Sequence, residues 1–386
     1  MADSDRAGCK PGRNARHACG LREPRTVRSD PDRGRRRGHL TLAGRIAAPL
    51  LAALLAAACG GDADRQEDDG RLVVVIGASG AIDTPWHDGW RRFERRVHEA
   101  AYPGLELQMS VNGQLGTEET ILAQARRGRI QYAGTSLHGM SSVIPELSVI
   151  LSPYLFESYE EVDFVTDKYL TPVFTEMLAE RGITFIQWSE VGWNHIYCRE
   201  PRIEPEEFRG VKMRASTAIA PQVFTGAIDA DNIPLPFDET LPALQTGLIE
   251  CGQSGAGQYL LSGIAEEAPH YTRTFHAYDS GVQFANSQWW ESLPEEVRQV
   301  LQNALDGQQE NRDIVREVIA GQEREWQEAG RVTFYELSDA QIARWREAAE
   351  GSHQRLIERI GGRAQEIYDL ILVGKADFAA RGEDAA

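Results

Sequence analysis

The sequence predicts an α/β protein built as two lobes. Its 386 residues exceed what a single hydrophobic core usually serves. Strand and helix patterns alternate with short links over residues 72–133, and a second α/β unit opens near Phe208. The longest helical pattern, from Pro294 to Trp326, carries two apolar stripes separated by a waist, Gly307–Asp313, that is polar on all sides. A helix of that length would be about 50 Å long, which suits one helix packed on both lobes; a break at Gly307 is the competing reading.

Residues 1–58 read as an export leader rather than as part of the fold. They carry 12 of the chain's 41 Lys/Arg and 5 of its 58 Asp/Glu, which leaves the remainder at a net charge of −24. Arg35-Arg36-Arg37 precedes the apolar run Ile46–Ala58, which is too short to span a membrane. That run ends in Leu55-Ala56-Ala57-Ala58-Cys59-Gly60-Gly61, which resembles a bacterial lipoprotein processing site with Cys59 as the lipidated residue. Arg36-Arg37 gives a weak twin-arginine signal. Residues 59–71, acidic from Asp62, read as a solvated tether from a lipid anchor to the first strand. So acidic a surface repels nucleic acid, and no nucleic-acid partner is expected.

The β-branched run Leu72–Ile76 is a buried strand leading into the loop Gly77–Asp83. Thr84 caps a helix with Pro85 in its first position, and Trp86, Trp90, Phe93 and Val97 follow at helical spacing. Leu105–Val111 alternates as a second strand, a helix runs from Thr117 through Ala125, and Ile130–Ala133 is a third strand. This β-α-β-α-β order requires a parallel sheet, with ligand loops beyond the carboxyl ends of its strands. Those loops are Gly77–Asp83, Gln114–Glu118 and Gly134–His138. A long helix, Tyr159 to about Leu178, precedes the strand Ile183–Ser189, and Gly192–Cys198 reads as a separate strand crossing into new territory. Val211–Ala215 is a strand of the second unit; a turn with Pro234 and Pro236, a short helix and a strand ending at Gln253-Ser254 follow. Ala340–Ile360 and Ala364–Leu372 close the chain as amphipathic helices. Cys198 and Cys251 both fall in predicted strands, where a disulfide or two buried thiols would serve equally. No cysteine spacing suits a metal, and no cofactor is expected.

The chemistry concentrates in Phe208–Tyr259. Its strand delivers Arg214 among apolar neighbours, and its turn delivers Phe237. A guanidinium beside an aromatic face and small hydroxyls suits a carboxylate, because its planar fork matches two oxygens at once.

With these residues in view, the mature chain resembles the solute-binding protein of a TRAP (tripartite ATP-independent periplasmic) transporter. The resemblance rests on Asn112-Gly113-Gln114-Leu115-Gly116, Ser152–Phe156, Glu206–Arg214, Leu235–Glu239 and Ala243–Glu250 in that order. It implies a two-domain periplasmic-binding-protein-like fold with hinge strands and a long helix spanning both domains. The implied domains are 72–191 plus 280–318, and 192–279 plus 319–375. It further implies that the protein lies outside the cytoplasm, closes on a small organic acid and delivers it to the small and large membrane subunits. Arg214 occupies the position of the family's carboxylate-binding arginine, and Phe237 that of an aromatic residue packed on the ligand. Glu118, Ser136 and Ser79 fall in ligand-side loops of the first domain, and Gln253 at the end of a strand in the second. Many relatives have an arginine where Asn194 follows Trp193, and Gln-Glu-Asn where Gly252-Gln253-Ser254 stands. Loss of a second arginine favours a monocarboxylate over a dicarboxylate or sugar acid, with its apolar body against Trp193 and Phe237, and places Asn194 and Ser254 where the solute is read.

Two other readings use the same residues. Gly252–Ala256 and Gly77–Ala81 each stop one residue short of a Gly-x-Ser-x-Gly elbow, which would make Ser254 or Ser79 the nucleophile of an extracytoplasmic hydrolase. No nearby base accompanies either, so the protein is not expected to be an enzyme. A sensor that presents its ligand to a receptor would carry the same site.

Overall fold

The structure, a computed structural model, describes residues 71–384; the leader, Cys59 and most of the tether lie outside them. The described residues form a mixed sheet of nine strands: β1 (Leu72–Ala78), β2 (Leu105–Ser110), β3 (Tyr132–Ser136), β4 (Ile183–Cys198), β5 (Lys212–Ala215), β6 (Asp231–Pro234), β7 (Cys251–Gly255), β8 (His270–Asn286) and β9 (Thr333–Glu336). Their order is β2-β1-β3-β8-β4-β7-β5-β6, with β9 beside β8.

One end of the sheet is the parallel set β2-β1-β3, and the other is the parallel set β7-β5-β6. The long antiparallel pair β4 and β8 runs through both, meeting β3 at Tyr132–Ser136 and β7 at Asn194–Gly255. Each end has its own core. Val74, Ile76, Phe93, Val97 and Leu301 pack on one face of the first, and Ile121, Leu122, Phe174 and Phe284 on the other. The second packs Tyr197, Leu244, Tyr259, Tyr271 and Trp326 on one side and Phe208, Met213, Phe224 and Trp345 on the other. These are the two lobes.

Local chemistry fixes the elements around the first lobe's loops. Thr84 accepts a hydrogen bond from the His87 N–H with Pro85 in the first turn, and Ala101 closes the helix Pro85–Ala100 in the left-handed region. Thr117 caps the helix Glu118–Arg126 by accepting from the Thr120 N–H.

Four expectations are corrected. Gly192–Cys198 is not a separate strand: β4 is continuous from Ile183, with register shifts at Phe185/Gln187, Glu190/Gly192 and Asn194/Ile196. The helical pattern beginning at Pro294 does not form one rod, because Leu305, Asp306 and Gly307 separate the helices Glu295–Ala304 and Gln308–Glu328. The break is held by charge. Asp306, buried, receives Arg92 at 2.7 Å and Arg96 at 2.9 Å, and the Gly307 N–H donates to Glu310. Ala340–Ile360 likewise divides at Gly351, whose φ of +72° a residue with a Cβ would resist. The last helix runs on to Asp384 instead of stopping at Leu372.

Even so, the helix Gln308–Glu328 reaches both lobes. Its polar waist serves the irregular stretch of β4: Gln308 accepts from the Trp188 N–H at 3.3 Å and Asn311 from the Glu190 N–H at 2.9 Å. These are backbone donors that would otherwise be buried unpaired. Further along, Ile319 and Trp326 join the core of the second lobe. Cys198 and Cys251, opposite each other on β4 and β7, form a disulfide.

Candidate ligand cavity

The loops after β1 and β3 and the start of the helix Glu118–Arg126 converge with the ends of β5 and β7 around a cavity of about 560 Å³. The first lobe supplies Ser79, Glu118, Ser136 and His138, and the second supplies Arg214, Ser216, Phe237 and Ser254. The volume lies in the range of small-molecule sites.

Arg214 is the cavity's buried cation, with 4 % of its surface exposed. β5 pairs it between Gly252 of β7 and Ile233 of β6, and two carbonyls anchor it: Nε donates to Leu235 at 3.1 Å and Nη1 to Gln253 at 3.3 Å. The guanidinium carbon lies 5.8 Å from the centre of the Phe237 ring. Among the described residues no carboxylate is within ion-pair reach, and Nη2 makes no hydrogen bond. Burial lowers the pKa of Arg214, with the charges of Tyr197, Glu118 and Asp279 opposing that shift. The group is therefore a desolvated cation with an open donor edge, the arrangement that an anionic ligand completes.

Glu118 forms the opposite wall. Its Oε1 accepts from the Ser136 N–H at 2.8 Å and from Ser79 Oγ at 3.1 Å, and its Oε2 accepts from Ser136 Oγ. Desolvation raises its pKa, these hydrogen bonds opposing. The carboxylate thus ties the β1 and β3 loops together, and both serines spend their hydroxyls on it.

Other predicted residues divide. Ser254 lines the cavity with its hydroxyl buried and unpartnered among the described residues. Gln253 lines it through the backbone that anchors Arg214. Its side chain points into the second lobe, where it donates to Pro221 and Thr225 and meets His276 Nε2 at 2.9 Å. Trp193 and Asn194 are not among the lining residues. The irregularity between Glu190 and Gly192 inserts one residue, which reverses the alternation of β4. Trp193 then joins Glu190 on the side of Tyr278, with Tyr159 and Phe275 around its ring. Asn194 is buried between Gly255 and Ala277 with its Oδ1 unpartnered among the described residues.

Several lining residues escaped the sequence reading. Trp86 and Trp90 look like core positions from their spacing, yet both reach the cavity; the signal was their place directly after a predicted ligand loop. Glu119 and His138 also line it and cross to the second lobe. Thr217 Oγ1 donates to Glu119 at 2.9 Å, and Ser216 Oγ lies 2.8 Å from His138 Nδ1. The other nitrogen of His138 is 3.1 Å from the fully buried Asp279. The Ser216 hydroxyl also accepts from the Ala218 N–H. Neither the Ser79 nor the Ser254 hydroxyl hydrogen-bonds a histidine among the described residues, so the hydrolase reading lacks its base. Nor do the described residues contain a group of three His, Cys, Asp or Glu placed for a metal ion.

Residues 76–359 match the model of the DctP family, bacterial extracellular solute-binding protein family 7. The chain belongs to this family. Among curated relatives, this DctP-family protein is 27% identical over 296 residues to the C4-dicarboxylate-binding periplasmic protein DctP of Rhodobacter capsulatus, covering 75% of this chain and 88% of that one. It is 30% identical over 279 residues to the ectoine-binding periplasmic protein TeaA of Halomonas elongata, covering 69% and 79%. The solved structure of the ectoine-binding protein of the TeaABC TRAP transporter superposes with a TM-score of 0.72 at 25% identity, over 79% of this chain and all of that one. The sugar-acid-binding protein DctPAm of Advenella mimigardefordensis, solved with galactonate, superposes at 0.74 with 22% identity over 79% and 99%. The protein is a TRAP solute-binding protein, a member of a periplasmic, non-enzymatic family that binds small acids and works with membrane subunits. Among the described residues no helix is long and apolar enough to cross a membrane.

Proposed function

We propose that this protein captures a small monocarboxylate by closure of its lobes, 72–191 plus 280–318 on 192–279 plus 319–375, and hands it to the membrane subunits of a TRAP transporter. The observation that carries the reading is Arg214, a buried cation without a carboxylate partner among the described residues, at a cavity of about 560 Å³. Arg214 takes the carboxylate and Phe237 packs beside it. Ser254 offers a free hydroxyl, while Glu118, held by Ser79 and Ser136, shapes the far wall. With one arginine on the lining, a second carboxylate on the ligand would find no matching cation there. The relatives bind solutes as different as C4-dicarboxylates and ectoine, so the charge inventory of this cavity is the better guide. The same reading places the protein outside the cytoplasm, anchored by a lipid on Cys59.

The test is a thermal-shift screen of the mature protein against carboxylates, followed by calorimetry on the best binder. A ligand at a hundred times its Kd stabilises by roughly 2.7 kcal/mol. Arg214→Ala is expected to cost at least about 2 kcal/mol of binding, some thirtyfold in Kd, because it removes the charged partner of a desolvated pair. Its circular dichroism should match the parent. Unchanged affinity in the variant would reject the assignment.

A further inference from the structure

The cavity is more acidic than a carboxylate pocket needs to be. Its lining contains one guanidinium, Arg214, and three carboxylates, Glu118, Glu119 and Asp238. Glu118 accepts three hydrogen bonds from Ser79 and Ser136. Glu119 is half-buried and spends only Oε1, on Thr217. Its Oε2 has no partner among the described residues. Asp238, next to Phe237 at the rim, has neither a hydrogen bond nor an ion pair among them. The three acids and the arginine share one electrostatic neighbourhood. Burial and then the charge of Glu119 raise the pKa of Asp238 while Arg214 lowers it, and Glu118 and Glu119 both act on Arg214.

We infer that the ligand of this cavity is a zwitterion, a carboxylate that also carries a cationic group directed toward Glu119 and Asp238. The inference rests on the carboxylate reading of Arg214 and adds the chemistry of the ligand's other end. Once the ligand's carboxylate occupies the open edge of Arg214, the remaining field of the lining is negative. A second ligand carboxylate would be desolvated against Glu118 and Glu119 with no cation to meet it, a costly arrangement. A cation in the same place gains two carboxylates. The apolar part of the lining favours it as well. Trp86 spends its one donor on the Glu190 carbonyl at 2.7 Å, so what it offers a ligand is ring surface. Trp90 lies beside it on the lining. Indole rings attract desolvated organic cations, above all bulky ones with diffuse charge.

The test holds the carboxylate constant and varies the far end. Affinities of the mature protein would be measured by calorimetry for γ-butyrobetaine, 4-guanidinobutyrate and 4-aminobutyrate, which carry cations of three kinds. They would be compared with 5,5-dimethylhexanoate, the neutral isostere of the betaine, and with glutarate, a dicarboxylate of similar length. At least one cationic acid is expected to bind ten times or more tighter than both controls. In Glu119→Gln and in Asp238→Asn, the ratio of its affinity to that of the neutral isostere should fall at least threefold. Should glutarate or the neutral isostere equal or exceed all three cationic acids, or should the cationic acids not bind, the zwitterion assignment is overturned. In that case Arg214-dependent binding of either control leaves the carboxylate reading standing. If Arg214→Ala changes no affinity in the panel, the carboxylate reading falls with it.

Discussion

At the scale of single residues, the cavity shows how one arginine can be buried on a lining with no carboxylate beside it among the described residues. The two carbonyls that hold Arg214 satisfy Nε and one nitrogen of the fork without neutralising its charge, so the geometry is fixed while the electrostatic demand stays open. Lysine cannot copy this. Its ammonium is a point charge on a flexible stem, cannot keep both carbonyl anchors in the plane of a fork, and gives up its proton readily when buried. Arg214→Lys is therefore expected to bind closer to Arg214→Ala than to the parent, with a loss of about tenfold or more, read by calorimetry at pH 7. That Arg214 and Phe237 stand on the cavity lining was legible because a local motif carries them. Trp193 stands off the lining for an equally local reason. Its facing depends on whether β4 inserts a residue near Val191, and period-two reasoning has no means of seeing a bulge before the strands are paired.

The element that matters most beyond the cavity wall is the stretch of β4 at that bulge. Gly192 adopts a φ of +106° there, and Glu190 points into a buried polar cluster. Glu190 Oε2 receives Arg316 at 2.7 Å and the Tyr278 hydroxyl at 3.0 Å, and Arg316 also holds Asp163. Burial pushes Glu190 up to about 7, with Arg316 and the Tyr278 hydroxyl pulling the other way. A carboxyl whose folded pKa lies above its unfolded value binds more protons in the native state, so stability is highest below the unfolded value and falls as pH rises toward 7. Between pH 5 and pH 8 the parent is expected to lose on the order of 1–3 kcal/mol from this group. Thermal unfolding followed across that range should show the decline, and Glu190→Gln should flatten it. A parallel decline in both proteins would place the responsible group elsewhere. The sequence revealed the polar waist of the following helix but not its purpose. Gln308 and Asn311 are polar because they complete the backbone of this irregular strand, and Asp306, clasped by Arg92 and Arg96, breaks the helix that apolar periodicity alone would continue.

For the whole molecule, the order of strands decides where the cavity forms, and this was legible because β-α-β topology admits few arrangements. The loops placed beyond the strands of the first lobe all reach the cavity. What the sequence could not give was how the second lobe meets them, since the contacts join residues far apart in the chain. Two side-chain hydrogen bonds tie the segment after Arg214 to the first lobe at the cavity, Ser216 to His138 and Thr217 to Glu119. Both second-lobe partners follow Arg214 closely, so the segment that carries the buried arginine also carries both bonds. Closure that forms these bonds only after the ligand is seated would make them act on escape rather than on capture. Ser216→Ala removes one of them and leaves His138 Nδ1 without its partner, at a cost of about 0.5–1.5 kcal/mol. Stopped-flow measurement of binding, using the tryptophans at the cavity as the reporter, should show dissociation faster by roughly two- to tenfold and association nearly unchanged. Small-angle scattering of the parent should show a smaller radius of gyration with ligand than without. If the association rate falls while dissociation holds, the bond is already made in the transition state for binding, and it does not act on escape.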